Sequence, residues 1–215
     1  MSNYEYIISS LPFLTMDYKY AEGTGFASTL AEIRRDLSEK DNALVDFLLK
    51  GFDDKALDAD FYAGALRHRN RFLREYFRFD LNLRNAKVRY LNRGLGRDAD
   101  QDVLTGVGSP DDTDVDIDGY RFTGGEFTEE QKVEDVLNGK DLIAREKGLD
   151  EITWEKVNGL TIFNYFDINA ILGYIAKLHI ADRWLVLDEE TGRELFKKLV
   201  KEVKGTFKGV KYDEK

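Results

Sequence analysis

The chain has no cysteine, two prolines, two histidines and two methionines among its 215 residues. Without cysteine there is no disulfide framework, no thiol nucleophile and no cysteine-ligated metal, a usage that fits a reducing cytosol. Two prolines leave little to interrupt helices, and plentiful Leu, Ala, Glu, Lys and Arg tilt the composition the same way. No apolar run approaches the roughly 20 residues that span a bilayer. Met1–Tyr6 carries no basic stretch ahead of an apolar core, so no signal peptide is expected. Signatures of catalysis are missing as well. There is no nucleophile elbow and no Walker lysine, and His68 and His179 each stand without a second histidine or paired carboxylates at ligand spacing. The histidines read as structural, and neither an enzyme nor a cofactor or metal is expected.

What the chain does have is apolar substance: 42% hydrophobic residues and 13% aromatics, enough for a folded domain with a real core. Its clearest pattern runs from Phe61 to Arg93. At 100° per residue, Phe72, Tyr76, Phe79, Leu83, Ala86 and Tyr90 share one side, flanked by Leu66, Leu73, Phe77, Val88 and Leu91. Arg67, Arg71, Arg74, Arg78, Asn85, Arg89 and Arg93 collect on the other. The spacing predicts one long amphipathic helix over 61–93, about 50 Å from end to end.

Around that spine the remaining segments read mostly as helices. Tyr4–Leu11 fits a helix through Tyr4, Ile7, Ile8 and Leu11, or a strand through Tyr4, Tyr6 and Ile8, and Pro12 ends either. Ser28 or Thr29 caps a helix to about Leu37. Ser38 caps the next, with Ala43, Leu44, Phe47 and Leu48 inward and Gly51 at its C-terminal end. Beyond Arg93, the glycines, Pro110 and a run of aspartates make a long irregular connector. Thr128 and Gln131 form a capping box for a helix to about Leu137. Further helices are expected over 140–147, 153–165, 167–178 and from Asp188 to Val203. The expectation is an all-α helical bundle: an N-terminal helical half (1–97), an acidic Gly-rich connector (98–127) and a C-terminal helical half (128–215), in one compact unit.

Charge is unevenly spread. The total is −9, yet residues 61–97 hold ten Arg or Lys against Glu75 and Asp80, a local +8. Asp98 to Asp118 holds eight aspartates and no base, a local −8. Either the acidic loop folds back near the arginine face, or both segments are simply solvated, or the basic patch is reserved for an acidic partner. Within that loop Asp114, Asp116, Asp118 and Gly119 match the opening of a calcium-binding EF-hand. Its twelfth position falls on Gly125, with Glu126 one residue late, so an acidic turn is the expectation. Gly94-x-Gly96 follows a helix rather than a strand and reads as a helix end. The aromatic stretch from Trp154 to Trp184, with Phe163, Tyr165, Phe166 and Tyr174, reads as core of the second half or as a groove for a partner helix.

Three motifs add a resemblance. They are Tyr4-Glu5-Tyr6-Ile7-Ile8-Ser9-Ser10-Leu11-Pro12, then Asn82-x-Arg84-Asn85 with Arg89, then Phe166-Asp167-Ile168-x-x-Ile171-Leu172-x-Tyr174 followed by Lys177-Leu178 and Arg183-Trp184. Together they resemble a bacterial family of uncharacterised proteins from Bacteroidetes-type genomes, encoded beside V-type ATP synthase subunits. That family is similar, distantly, to the all-helical component of rotary ATPases that couples the central stalk to the membrane ring. The resemblance implies a non-catalytic subunit or assembly factor of a V-type proton- or sodium-translocating ATPase. Such a protein would be cytoplasmic, peripheral to the inner membrane, and bound to other ATPase subunits. Partner contacts are expected from Arg67, Arg71, Arg74, Arg78, Asn85 and Arg89, by charge complementarity. The alternative is a module that binds a phosphate-bearing ligand or nucleic acid through the same face, although the remainder of the chain, at −17, would repel a polyanion.

Overall fold

Asn70 decides the course of the chain through its most apolar stretch. In the computed structural model, which describes residues 3–104 and 127–186, the run expected as one helix over 61–93 is two. These are α4 (Ala59–Leu66) and α5 (Arg71–Gly94). The Asn70 side chain caps α5 by accepting the Leu73 N–H at 3.0 Å, while the Asn70 N–H donates to His68 Nδ1 at 3.0 Å. Arg74 adds a bond from its guanidinium to the His68 carbonyl at 2.9 Å. Three local polar bonds thus win over helix continuation. The apolar period could not reveal this, because both helices keep their stripe inward.

Seven residues at the N-terminus resolve as helix rather than strand: α1 (Tyr4–Ser10) is capped by Asn3. α2 (Phe26–Arg35) starts at Gly25, earlier than the expected cap at Ser28 or Thr29, because the Ser28 hydroxyl reaches back from the third helical position to accept the Gly25 N–H. Ser38 caps α3 (Glu39–Lys50) as expected, and its hydroxyl also meets Asp41, where Tyr4 of α1 donates at 3.0 Å. A 3₁₀ turn at Asp54–Ala56 leads into α4, which Asp58 caps. After residue 127 come α6 (Glu130–Leu137), α7 (Leu142–Thr161) and α8 (Ile168–Val186). Among the described residues there are eight α-helices and no strand, the all-α bundle expected.

Two further details differ from expectation. The helices expected over 140–147 and 153–165 are one, α7, with Gly148 inside it. A Cβ at Gly148 would stand 2.8 Å from Val136, so this glycine lets α6 approach rather than breaking the helix. The box of Thr128 and Gln131 is not made. Thr128 bonds the Glu129 carboxylate instead, and Glu129 takes the N-cap position without a side-chain cap. The acidic loop beyond Leu104, including Asp114, Asp116, Asp118 and Gly119, lies outside the described residues, as does the expected helix from Asp188 to Val203.

α5 is the spine of two apolar clusters. Its first turns place Phe72, Leu73, Tyr76 and Phe77 in one cluster with Val45, Leu48, Phe61 and Tyr62 and with Ile171, Leu172 and Ile175 of α8. Further along, Phe79, Leu83 and Ala86 turn to Val133 and Leu137 of α6 and Leu149 and Ile152 of α7. Burying each large side chain stabilises the fold by about 1.5–3 kcal/mol. Where α3 ends, Gly51 has an ordinary φ of −73°, so its role is room rather than conformational freedom. A Cβ there would stand 2.1 Å from Cε1 of Phe77, which is fully buried.

Candidate functional site

The polar side of α5 faces its own chain for most of its length. Glu75 lies between two arginines, with Arg78 at 3.3 Å and Arg74 at 3.7 Å, and the Arg74 side chain is only 12% exposed. Arg84 donates from Nε to Asp80 and from a terminal nitrogen to Asp54, both at 3.0 Å. Asn85, expected at a partner surface, is buried. Its amide donates to the Leu104 carbonyl at 2.9 Å, and its oxygen accepts the Leu104 N–H at 3.1 Å. Arg89 pairs with Asp100 at 2.8 Å, and buried Asn92 donates to the carbonyls of Ala99 and Gln101. Asn85, Arg89 and Asn92 recur at one face of the helix. Together they bind the first residues of the acidic segment back along α5. This part of the acidic loop does return to the arginine face.

Of the six residues expected to contact a partner, therefore, Arg74, Arg78, Asn85 and Arg89 have partners inside the chain, and Arg67 and Arg71 are exposed. Arg69, which the periodicity did not place in the set, is exposed between them. None of these three makes an ion pair or side-chain hydrogen bond with the described residues.

A cavity of about 340 Å³ opens beside α5, between the end of α3, α7 and α8. Four ion pairs line it: Asp80–Arg84 and Asp54–Arg84, which share one guanidinium, Lys87–Glu146 at 3.7 Å, and Asp150–Arg183. Asp150 is buried and also accepts the Trp184 indole N–H at 2.6 Å. Burial pushes its carboxyl above the ordinary range, against the pull of Arg183 and Trp184. Tyr62, fully buried, donates to Asp80 at 2.6 Å. On the third wall His179 lies flat against Phe52, ring centroids 4.1 Å apart. Burial holds its imidazole below the usual value, and Arg183 acts the same way. Each of the four acids in this wall is already matched by a base, so the arrangement holds helices together by charge. The Asp80–Arg84 pair could be read from its helical i,i+4 spacing. Asp150 with Arg183 and Trp184 could not, because only the fold brings α7 to the end of α8. Among the described residues, no three His, Cys, Asp or Glu side chains lie close enough to hold a metal.

The third feature is an end of the bundle. Four large apolar side chains at the turn from α7 to α8 are exposed: Ile162 at 60%, Phe163 at 85%, Tyr165 at 70% and Phe166 at 56%. The sequence leaves this stretch as core or as a groove for a partner helix; the helical parts around it, through Val157, Ile171, Leu172 and Ile175, are buried and the turn is not. The turn is tied to the α4–α5 joint. Asn70 donates to Asn169 at 2.8 Å, Asn169 donates to Asp167, and Asn164 donates to the same carboxylate oxygen. Asp167 also caps α8 by accepting the Ala170 N–H at 3.0 Å. No helix among the described residues is long and apolar enough to cross a membrane.

Compared with known proteins, residues 53–206 match the family model described as protein of unknown function (DUF2764), which takes in α4 to α8. No curated protein and no solved structure matches the chain.

Proposed function

Because the chain belongs to the DUF2764 family, whose description names no function, we propose a role from the chain's own surface and motifs. It acts as a non-catalytic subunit or assembly factor of a V-type ATPase, held peripherally at the membrane by contacts with other subunits. The observation that carries the reading is the exposed trio Arg67, Arg69 and Arg71 at the α4–α5 joint. It is a small cationic site on a chain whose net charge is −9, suited to steering and orienting an acidic protein partner. The likeness of the three motifs to proteins encoded beside rotary ATPase subunits supplies the class of partner.

The alternative, a phosphate or nucleic-acid module on the arginine face, is weakened by the internal pairing of Arg74, Arg78, Arg84 and Arg89. A polyanion site draws on many free cations, and binding would fall about one power of salt concentration per phosphate contacted.

The test is a tagged pull-down from solubilised membranes of the native organism, read by mass spectrometry. Recovery of catalytic and stalk subunits in fixed ratio is the expected result. Recovery of nucleic acid or unrelated soluble proteins, with no ATPase component, would overturn it.

A further inference from the structure

We propose that the α4–α5 joint and the α7–α8 turn form one docking surface whose occupant is an acidic amphipathic helix of a partner protein. This deepens the preceding reading and rests on it for the identity of the complex, though not for the chemistry of the surface. Two unlike groups of residues lie on the segments that the Asn70–Asn169 bond joins. Arg67, Arg69 and Arg71 supply positive charge, and Phe163, Tyr165 and Phe166 supply exposed ring surface. The amide and carboxylate chain from Asn70 through Asn169 and Asp167 to Asn164 joins the two groups and fixes their relative position.

The surface is selective for negative charge. Asp167, the acid in the turn, has its carboxylate occupied by two asparagine amides and the Ala170 N–H. The acids of α4, Asp58 and Asp60, sit at its opposite end from Arg67, about 10 Å away along the helix. Exposed rings of this size grouped at one turn are uncommon on a surface that meets only water. Arginine and aromatic residues, without lysine, make up the composition enriched at the centres of protein interfaces. Anionic lipid recognition draws on larger clusters, about four to eight Lys or Arg. A helix with an apolar stripe and carboxylates along one edge satisfies both halves: its stripe covers the rings and its carboxylates take bidentate bonds from the guanidinium groups.

The probe is a synthetic amphipathic helix of Glu and Leu, titrated into the full-length isotope-labelled protein and followed by amide shifts. Shifts confined to 67–71 and 161–170 are expected, with no response to the same peptide carrying Lys for Glu. Arg69→Glu with Arg71→Glu, and separately Phe163→Ser with Phe166→Ser, should each weaken binding about tenfold or more. All four positions are exposed, and circular dichroism should stay unchanged. Equal affinity for the charge-reversed protein, or shifts elsewhere, would overturn the proposal. So would binding to phosphatidylglycerol vesicles without binding to the peptide, which would assign the surface to lipid. A photoreactive phenylalanine analogue at position 163, used in cells, separates this surface from the ATPase reading. Undiminished recovery of ATPase subunits by the doubly reversed variant would sink the surface and the arginine trio's part in the contact, while the recovered subunits would keep the ATPase association. A crosslink to an acidic protein outside the ATPase, lost in that variant, would do the reverse.

Discussion

Asn85 exchanges two hydrogen bonds with Leu104, its side-chain amide serving both main-chain groups of that residue as a neighbouring strand would. Asn85→Ala removes both partners at once from a half-buried peptide. A stability loss of about 2 kcal/mol is expected, measured by urea unfolding. Amide exchange at Leu104 should rise first, ahead of the core of α5.

Stability should fall as the solution is acidified from neutrality. Burial lowers both His68 and His179 from the ordinary value of 6.5, so the folded chain binds fewer protons than the unfolded chain just below that pH. Each contribution is complete above 6.5 and is lost as pH falls through the depressed folded value, at up to about 1.4 kcal/mol per pH unit per histidine. His68 Nδ1 also accepts the Asn70 N–H, a bond that a doubly protonated ring cannot receive. Denaturant midpoints between pH 7.5 and 5 should decline less for His68→Gln combined with His179→Phe. Equal declines in the two proteins would show that the acid sensitivity lies elsewhere.

Gly51→Ala should destabilise by about 3 kcal/mol, the cost of overpacking where neither neighbour can yield. The obstacle is the Phe77 ring, so Phe77→Leu in the same chain should recover part of the loss despite removing apolar volume of its own. Thermal melts of the single and double variants measure this. Additive losses would mean that the glycine serves the backbone and not the packing.

Tyr62→Phe leaves Asp80 with Arg84 alone and removes a buried hydrogen bond to a charged group, worth about 1.5–3 kcal/mol. In a double-mutant cycle with Asp80→Ala, which removes the acceptor, the coupling should account for most of that figure. A coupling near zero would place the cost in ring packing.

The helices are legible wherever an apolar period coincides with a capping side chain. Ser38 before α3 is the clear case, with its hydroxyl on the Asp41 N–H. The period alone misleads at Asn70, where a competing cap interrupts a stripe that continues without a phase change. It misleads again at Gly148, a residue that resembles a terminator until the position of Val136 is known. The arginine face is visible in outline, but its use is not. Glu75 can be read as a partner of Arg78 from its i,i+3 spacing, but exposure and partnership elsewhere depend on what returns to the helix, and Asp100 and Leu104 lie at no fixed spacing that would identify them as partners for Arg89 and Asn85. Composition leaves the aromatic turn between core and groove because it records only that a residue is apolar. The link from Asn70 to Asn169 that places the turn beside the arginines spans ninety-nine positions.

α8 packs against α1, α2, α3, α5 and α7, although it closes the described part of the chain. On a ribosome the first three helices emerge long before the element that completes their packing. At about 5–20 residues per second, the nascent N-terminal segment waits for several seconds with Ile33, Val45 and Leu48 lacking the α8 members of their cluster, Ile171, Leu172, Ile175 and Ala176. Folding is therefore gated by late synthesis, and a chain cut short before α8 should be a client of chaperones or proteases rather than a smaller functional unit.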